Sequence, residues 1–332
     1  MWERESGSFA LGDFDVERGG TIGAAQIGWE RHGTLNAARD NLIVYPSSFS
    51  AQHGDMAWLV GPDKVLDPTR WCILAVDMFS NGVSSGAAET ADYPALVTMG
   101  DNVRAQHRLV TERFGVSRVA AVYGFSMGGI QAYHWAALYP EMVERAFVVC
   151  GSARTADHNK VFLSGLLRIL EAAPEHIGGG RFSSEPVAAL RAFGTVYAGW
   201  GLSQDFYRAG LYRTVCGAAD LESFVREQWV ERFAVRRAAN LYAQALAWRE
   251  ADIAAGGDLA AALGAIRARV MLLPCETDLY FRVADNAAEV PFLRAGELRA
   301  IPSVWGHRAG NPSLDATDTA FLARAVRDGF AA

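Results

Sequence analysis

Residues 118–130 read Arg-Val-Ala-Ala-Val-Tyr-Gly-Phe-Ser-Met-Gly-Gly-Ile. A short apolar strand pattern over residues 119–123 runs straight into Gly124-Phe125-Ser126-Met127-Gly128, and a helical pattern over 130–139, closed by Pro140, follows. A Gly-x-Ser-x-Gly sequence between a strand and a helix predicts a nucleophile elbow, with Ser126 at the tip of a tight turn. Such a turn strains the serine backbone and leaves room only for small residues two positions to either side. Gly124 and Gly128 meet that requirement. The helix N-terminus behind the serine favours negative charge beside its hydroxyl.

A serine hydroxyl is a weak nucleophile until a base takes its proton, and the base needs an acid to orient it. On the fold that uses this elbow, the acid and then the histidine follow the serine in chain order. Residues 269–274, Arg-Val-Met-Leu-Leu-Pro, read as a buried strand followed by Cys275-Glu276-Thr277-Asp278. Residues 298–301 read as another short strand, followed by Pro302-Ser303-Val304-Trp305-Gly306-His307. His307 is the only histidine after His176, so it is the base. Asp278 is the favoured acid, with Glu276 on the same loop as its competitor. Both candidates sit just beyond the ends of successive strands, where open α/β sheets place their sites.

Working outward, the first 150 residues alternate strand and helix signals. Strands are expected over 21–31, 42–45, 72–77, 119–123 and 146–150, with a helix over 101–114. This alternation implies a doubly wound, mostly parallel sheet. Residues 155–262 read instead as a mostly helical block without a buried strand, and Gly178-Gly179-Gly180 reads as a mobile loop within it. The expected organisation is therefore a core of residues 1–154 and 263–332 with a helical lid, 155–262, inserted over the site. A length of 332 residues suits one core with a cap, and 51% hydrophobic residues allow a large interior.

A formal net charge of −6 argues against nucleic acid as a partner. Cys72, Cys150, Cys216 and Cys275 are scattered without metal-ligand spacing and read as buried free thiols, so no metal is expected. The N-terminal residues Met-Trp-Glu-Arg-Glu-Ser are too acidic and polar for a secretory signal, and no apolar run approaches a membrane span. The expectation is a cytoplasmic enzyme with a small-molecule substrate and no bound cofactor, whose other partner would be a second copy through the lid.

The chain resembles the homoserine O-acetyltransferase-like branch of the α/β-hydrolase superfamily. The likeness rests on Gly28-Trp-Glu-Arg-His-Gly-Thr-Leu-Asn36 with Asp40-Asn41, on Gly61-Pro62 and Leu66-Asp67, and on Gly82, Ser84-Ser85-Gly86 and Asp101-Asn102-Val103. It implies an α/β-hydrolase fold and a Ser126–His307–Asp278 triad, in agreement with the residue-level reading. It also implies an oxyanion hole built from the backbone N–H of Met127 and an N–H after the 42–45 strand. Ser48 is the choice there, with Ser47 or Phe49 as alternatives.

Substrate contacts implied by the resemblance are altered. Arg191-Ala-Phe-Gly194 is similar to the lid segment whose arginine holds the substrate carboxylate. The acidic residue that follows the catalytic histidine, and binds the homoserine amino group, is here Arg308. The Arg-Phe-Asp-x-Asn segment is reduced to Arg237-Ala-Ala-Asn240, and Tyr45-Pro-Ser-Ser48 stands where the family has His-Ala-Leu-Thr. These changes argue against an amino-acid acceptor and for an anionic group held by Arg191 and Arg308. The expected reaction is hydrolysis of an ester or thioester through an acyl-enzyme. Transfer from acetyl-CoA or another acyl-CoA to a hydroxyl other than that of homoserine is the second reading, and a non-catalytic binding scaffold the third.

Overall fold

The computed structural model describes residues 2–331. Eight strands form one sheet: β1 (Arg4–Asp15), β2 (Thr21–His32), β3 (Leu42–Pro46), β4 (Cys72–Val76), β5 (Ala121–Phe125), β6 (Arg145–Val149), β9 (Arg269–Leu273) and β10 (Gly296–Leu298). Their spatial order is β1-β2-β4-β3-β5-β6-β9-β10. From β4 to β10 every pair is parallel, while β2 runs antiparallel to β1 and β4. The doubly wound sheet read from the alternating pattern is present, and the antiparallel β1–β2 hairpin is added at one edge.

Strands β3, β4 and β5 are buried along their whole length. A parallel strand covered on both faces has no solvent side, so it reads as a continuous apolar run. Strand alternation sends Ile43 and Tyr45 to one hydrophobic layer, and Leu42 and Val44 to the other. The helices between β6 and β9 contribute to the first layer, with Phe193, Phe206 and Trp248 fully buried and Phe162 nearly so. Strand β3 lies between β4 and β5, so the winding reverses there. The loops leaving the carboxyl ends of β3 and β5 therefore open into one crevice, which is where such sheets hold their sites.

The helix expected over 101–114 is observed as Met99–Arg108 with a π-helical turn, Leu109–Arg113. Its earlier start comes from a capping box in which Thr98 Oγ1 accepts from Asp101 N–H and Asp101 accepts from Thr98 N–H. Strand β10 ends at Leu298, and Ile301 makes only an isolated bridge to Cys275. Gly178-Gly179-Gly180, read as a loose loop, is the turn of a short hairpin between β7 (His176–Gly178) and β8 (Arg181–Phe182), and all three glycines have positive φ. The helix Leu259–Ala265 runs across the expected lid boundary at 262, and its Leu263 joins the hydrophobic layer opposite the lid. Among the described residues, no helix is long and apolar enough to cross a membrane.

Candidate active site

Ser126 sits between β5 and the helix Met127–Leu138, at φ 59° and ψ −125°. That conformation is sparsely populated for a residue with a Cβ and persists only where the surroundings enforce it. A Cβ on Gly124 would lie 1.9 Å from Gly128 O, and one on Gly128 would lie 2.5 Å from Pro46 O. Both glycines are thus steric requirements of the turn.

His307 and Asp278 converge on this serine from loops beyond β10 and β9. Ser126 Oγ lies 2.8 Å from His307 Nε2, and His307 Nδ1 lies 2.7 Å from Asp278 Oδ2. Asp278 is fully buried, and its other oxygen accepts from the N–H groups of Tyr280 at 2.7 Å and Phe281 at 3.3 Å. With the carboxylate an acceptor throughout, the proton belongs on Nδ1, which leaves the Nε2 lone pair facing the serine hydroxyl. Glu276 is exposed on the same loop, away from the imidazole's hydrogen bonds.

The imidazole is held by shape as well. The rings of Phe125, Tyr280 and Phe281 have centroids 4.7, 4.8 and 5.5 Å from that of His307. Thr277 Oγ1 donates to Ser303 O at 2.7 Å and accepts from Gly306 N–H at 3.1 Å, tying the acid loop to the histidine loop. Ser303 Oγ in turn donates to Asp318 at 2.6 Å, and burial pushes the Asp318 carboxyl up to about 6. The Cys150 thiol, an Asp278 carboxylate oxygen and a His307 ring nitrogen lie within 4.8 Å of one another. Both ring nitrogens of His307 are engaged, and burial raises the thiol pKa well above its ordinary value, so the group is an acid–base pair beside a neutral thiol.

The loop after β3 supplies backbone amides. Ser47 N–H donates to Val76 O at 2.8 Å, and Ser50 N–H donates to Gln244 Oε1 at 2.7 Å. Among the described residues, the Ser48 and Phe49 amides have no protein acceptor. The first helical bond beyond the elbow is Ile130 N–H to Ser126 O, so the Met127 amide is free of helix bonding. Ser48, Phe49 and Ser126 line the same cavity. Of the three amides considered in the sequence, Ser47 is thus already committed. Gln244, on the lid helix Ala238–Arg249, carried no signal in the sequence, yet it clamps this loop from 194 positions away.

The two arginines expected to meet substrate part company. Arg308, next to His307, is half-buried and lines the cavity. Arg191 lies outside the lining, on an exposed face of the helix Val187–Gly201, where it pairs with Glu231 at 3.4 Å. The Arg-x-x-Gly spacing misleads because Gly194 serves a different contact: a Cβ there would lie 2.9 Å from Trp229 O, so the glycine lets two lid segments approach. Arg232 and Arg236, not singled out in the sequence, line the cavity instead. The cavity holds about 330 Å³, at the small end for ligand sites.

Geometry of this kind belongs to acyl-transfer catalysts on many folds, and likeness to known proteins narrows it. Residues 52–284 match the alpha/beta hydrolase fold family model. Ethyl acetate hydrolase of Pseudomonas veronii is 34% identical over 317 residues, covering 92% of this chain and 90% of that one. Homoserine O-acetyltransferase of Caulobacter vibrioides is 30% identical over 374 residues, covering 94% and 93%. The solved structure of the acetyl esterase MekB superposes with a TM-score of 0.91 at 31% identity, covering 97% of both chains. The acetyltransferase resemblance is thus present but weaker than the likeness to esterases. By sequence match and by fold, this enzyme belongs to the α/β-hydrolase family.

Proposed function

We propose that this enzyme hydrolyses small esters through an acyl-enzyme on Ser126. The observation that carries the reading is the linear chain Asp278–His307–Ser126, at 2.7 and 2.8 Å, opening on a small cavity. Similarity to an ethyl acetate hydrolase and an acetyl esterase supports ester over other acyl donors.

In this mechanism His307 Nε2 takes the hydroxyl proton as Ser126 Oγ attacks the ester carbonyl. Asp278 holds the imidazole in the required tautomer and stabilises the imidazolium. The amides of Met127 and Ser48 receive the oxyanion, a contribution typically worth about 3–4 kcal/mol per donor. The imidazolium returns its proton to the leaving alkoxide. Water then enters and gives a proton to His307 as it attacks the acyl carbonyl, and the acid leaves as the imidazolium returns that proton to Ser126 Oγ. Phe49 supplies the second donor should the carbonyl bind deeper in the loop.

Ser126→Ala should abolish labelling by a fluorophosphonate and lower kcat for p-nitrophenyl acetate by about 10⁴-fold or more with the fold intact. Retained labelling would remove Ser126 as nucleophile. The likeness to an acetyltransferase over 94% of the chain keeps a second reading, transfer from an acyl-CoA to a hydroxyl other than that of homoserine. Mass spectrometry after incubation with acetyl-CoA separates the two. A stable acetyl adduct on Ser126 supports transfer, whereas rapid ester turnover without an adduct supports hydrolysis.

A further inference from the structure

Three guanidinium groups line the cavity that holds Ser126 and His307: Arg308 from the histidine loop, and Arg232 and Arg236 from the lid. Arginines elsewhere on the lid surface have carboxylate partners, as in Arg191–Glu231, Arg226–Glu227 and Arg237–Glu185. Among the described residues, the three in the cavity make no ion pair. The side chain of Arg232 donates to Gln228 Oε1 at 2.7 Å, an uncharged acceptor. The cavity lining contains one carboxylate, Asp55, and its Oδ2 already accepts from the N–H of Gln52 at 3.0 Å to cap a short helical turn.

Arg308 and Arg236 are half-buried and Arg232 is exposed at the cavity rim. Three cations thus face one anion, and the two partly desolvated guanidinium groups lose hydration without gaining a counter-charge. Burial and the neighbouring charge of Arg232 both push the Arg308 pKa down, so these two groups repel each other. An anion entering the cavity would relieve that repulsion, and planar guanidinium groups suit a carboxylate in particular.

We propose that this cavity is built for an ester carrying a carboxylate, recognised by Arg308 together with Arg232 and Arg236. The inference rests on the ester-hydrolase reading of Ser126. The volume of about 330 Å³ fits a short acid ester and leaves little room for a coenzyme-sized phosphate donor. The carboxylate could belong to either half of the substrate. In monoethyl succinate it lies on the acyl side, and in 3-acetoxypropanoate on the alcohol side.

Each anionic ester has a neutral partner of nearly the same shape: ethyl 4-methylpentanoate for the first, 3-methylbutyl acetate for the second. The purified full-length enzyme should prefer one anionic member over its partner by roughly tenfold or more in kcat/KM. That preference should shrink as salt is raised. Arg232→Gln combined with Arg236→Gln should reduce the anionic-to-neutral ratio by roughly tenfold or more, mainly through KM. Arg308→Lys should retain more of the ratio than Arg308→Gln. The preferred pair tells which half of the ester bears the charge. Equal turnover of both members in both pairs would overturn the carboxylate assignment while leaving ester hydrolysis standing. If no ester is hydrolysed, the reading of Ser126 fails instead. Succinate binding, followed by calorimetry on wild type and on the double lid variant, then decides the anion site: equal affinity in the two proteins, or none in either, would overturn it.

Discussion

Asp278 and Glu276 lie two positions apart on one loop, yet only Asp278 can serve the imidazole. Its side chain is fully buried, receives two backbone N–H groups and reaches His307 at 2.7 Å. Glu276 is exposed. Asp278→Asn should therefore cost about 10³–10⁴ in kcat, because an amide in place of the carboxylate favours the wrong imidazole tautomer. Glu276→Gln should cost less than about tenfold. Steady-state kinetics on the two variants, with circular dichroism as a folding control, decides the matter, and the reverse ranking would overturn the triad. A similar contrast separates the two expected substrate arginines. Arg191 and Glu231 are about half exposed, and an ion pair of that kind contributes roughly 0–1 kcal/mol. Arg191→Ala should leave KM for carboxylate-bearing and neutral esters alike within about twofold. A selective rise for the anionic ester would return Arg191 to the site.

Helices and loops around the triad are fastened by buried polar groups whose protonation matters. The helix Val283–Glu289 ends in Glu289, which is buried and accepts from Ala153 N–H at 2.9 Å, Tyr133 OH at 2.9 Å and Asn286 Nδ2 at 3.0 Å. Asn286 Nδ2 also donates to Gly151 O, so this cluster ties the helix to the loop that follows β6. Burial raises the Glu289 carboxyl to about 7 from the ordinary 4.5, outweighing the three donors that favour its charge. The folded state therefore binds a proton that the unfolded chain releases between about pH 4.5 and 7. Stability from this group is fully present below about 4.5, declines as pH rises through about 7, and is constant above that. The expected loss is on the order of 1–3 kcal/mol. Urea denaturation between pH 4.5 and 8 should show that decline in wild type and a flatter profile in Glu289→Gln, whatever its absolute stability. Parallel profiles would mean that Glu289 titrates normally.

Side chains from the helices between β6 and β9 and from the loops of the sheet line one cavity, and three of them are guanidinium groups. An α-amino acid acceptor would bring an ammonium among three guanidinium groups, with Asp55 the single carboxylate in the lining. At a separation of a few ångströms, each like charge costs on the order of 1 kcal/mol in a partly solvated site. The enzyme should therefore not form O-acetylhomoserine from acetyl-CoA and L-homoserine at a useful rate. Mass-spectrometric detection of efficient product formation would contradict the charge argument. This charge balance is in keeping with the higher identity to an ethyl acetate hydrolase, 34%, than to a homoserine O-acetyltransferase, 30%.

Most of the sheet was legible because its strands obey local rules. Buried parallel strands are unbroken apolar runs, and the elbow announces itself through two glycines whose Cβ atoms would collide with backbone. Ser126 and His307 could be named from chain order, since the topology leaves one histidine downstream. β1 was missed because much of its surface is exposed and lacks a clean apolar pattern, so its pairing with β2 defines it. Contacts between distant segments lay beyond any local pattern. Ser47 is unavailable for the oxyanion because β4 claims its amide, and Gln244 reaches the same loop across 194 positions. Whether an arginine is free also depends on which carboxylates the fold brings near it. Arg191 stood out in the sequence and Glu231 did not, yet the fold pairs the two and leaves Arg191 outside the cavity lining. Local sterics and periodicity dictate elements and turns, whereas electrostatic commitments are settled by three-dimensional proximity, so the elbow serine could be read from the chain and the set of arginines that line its cavity could not.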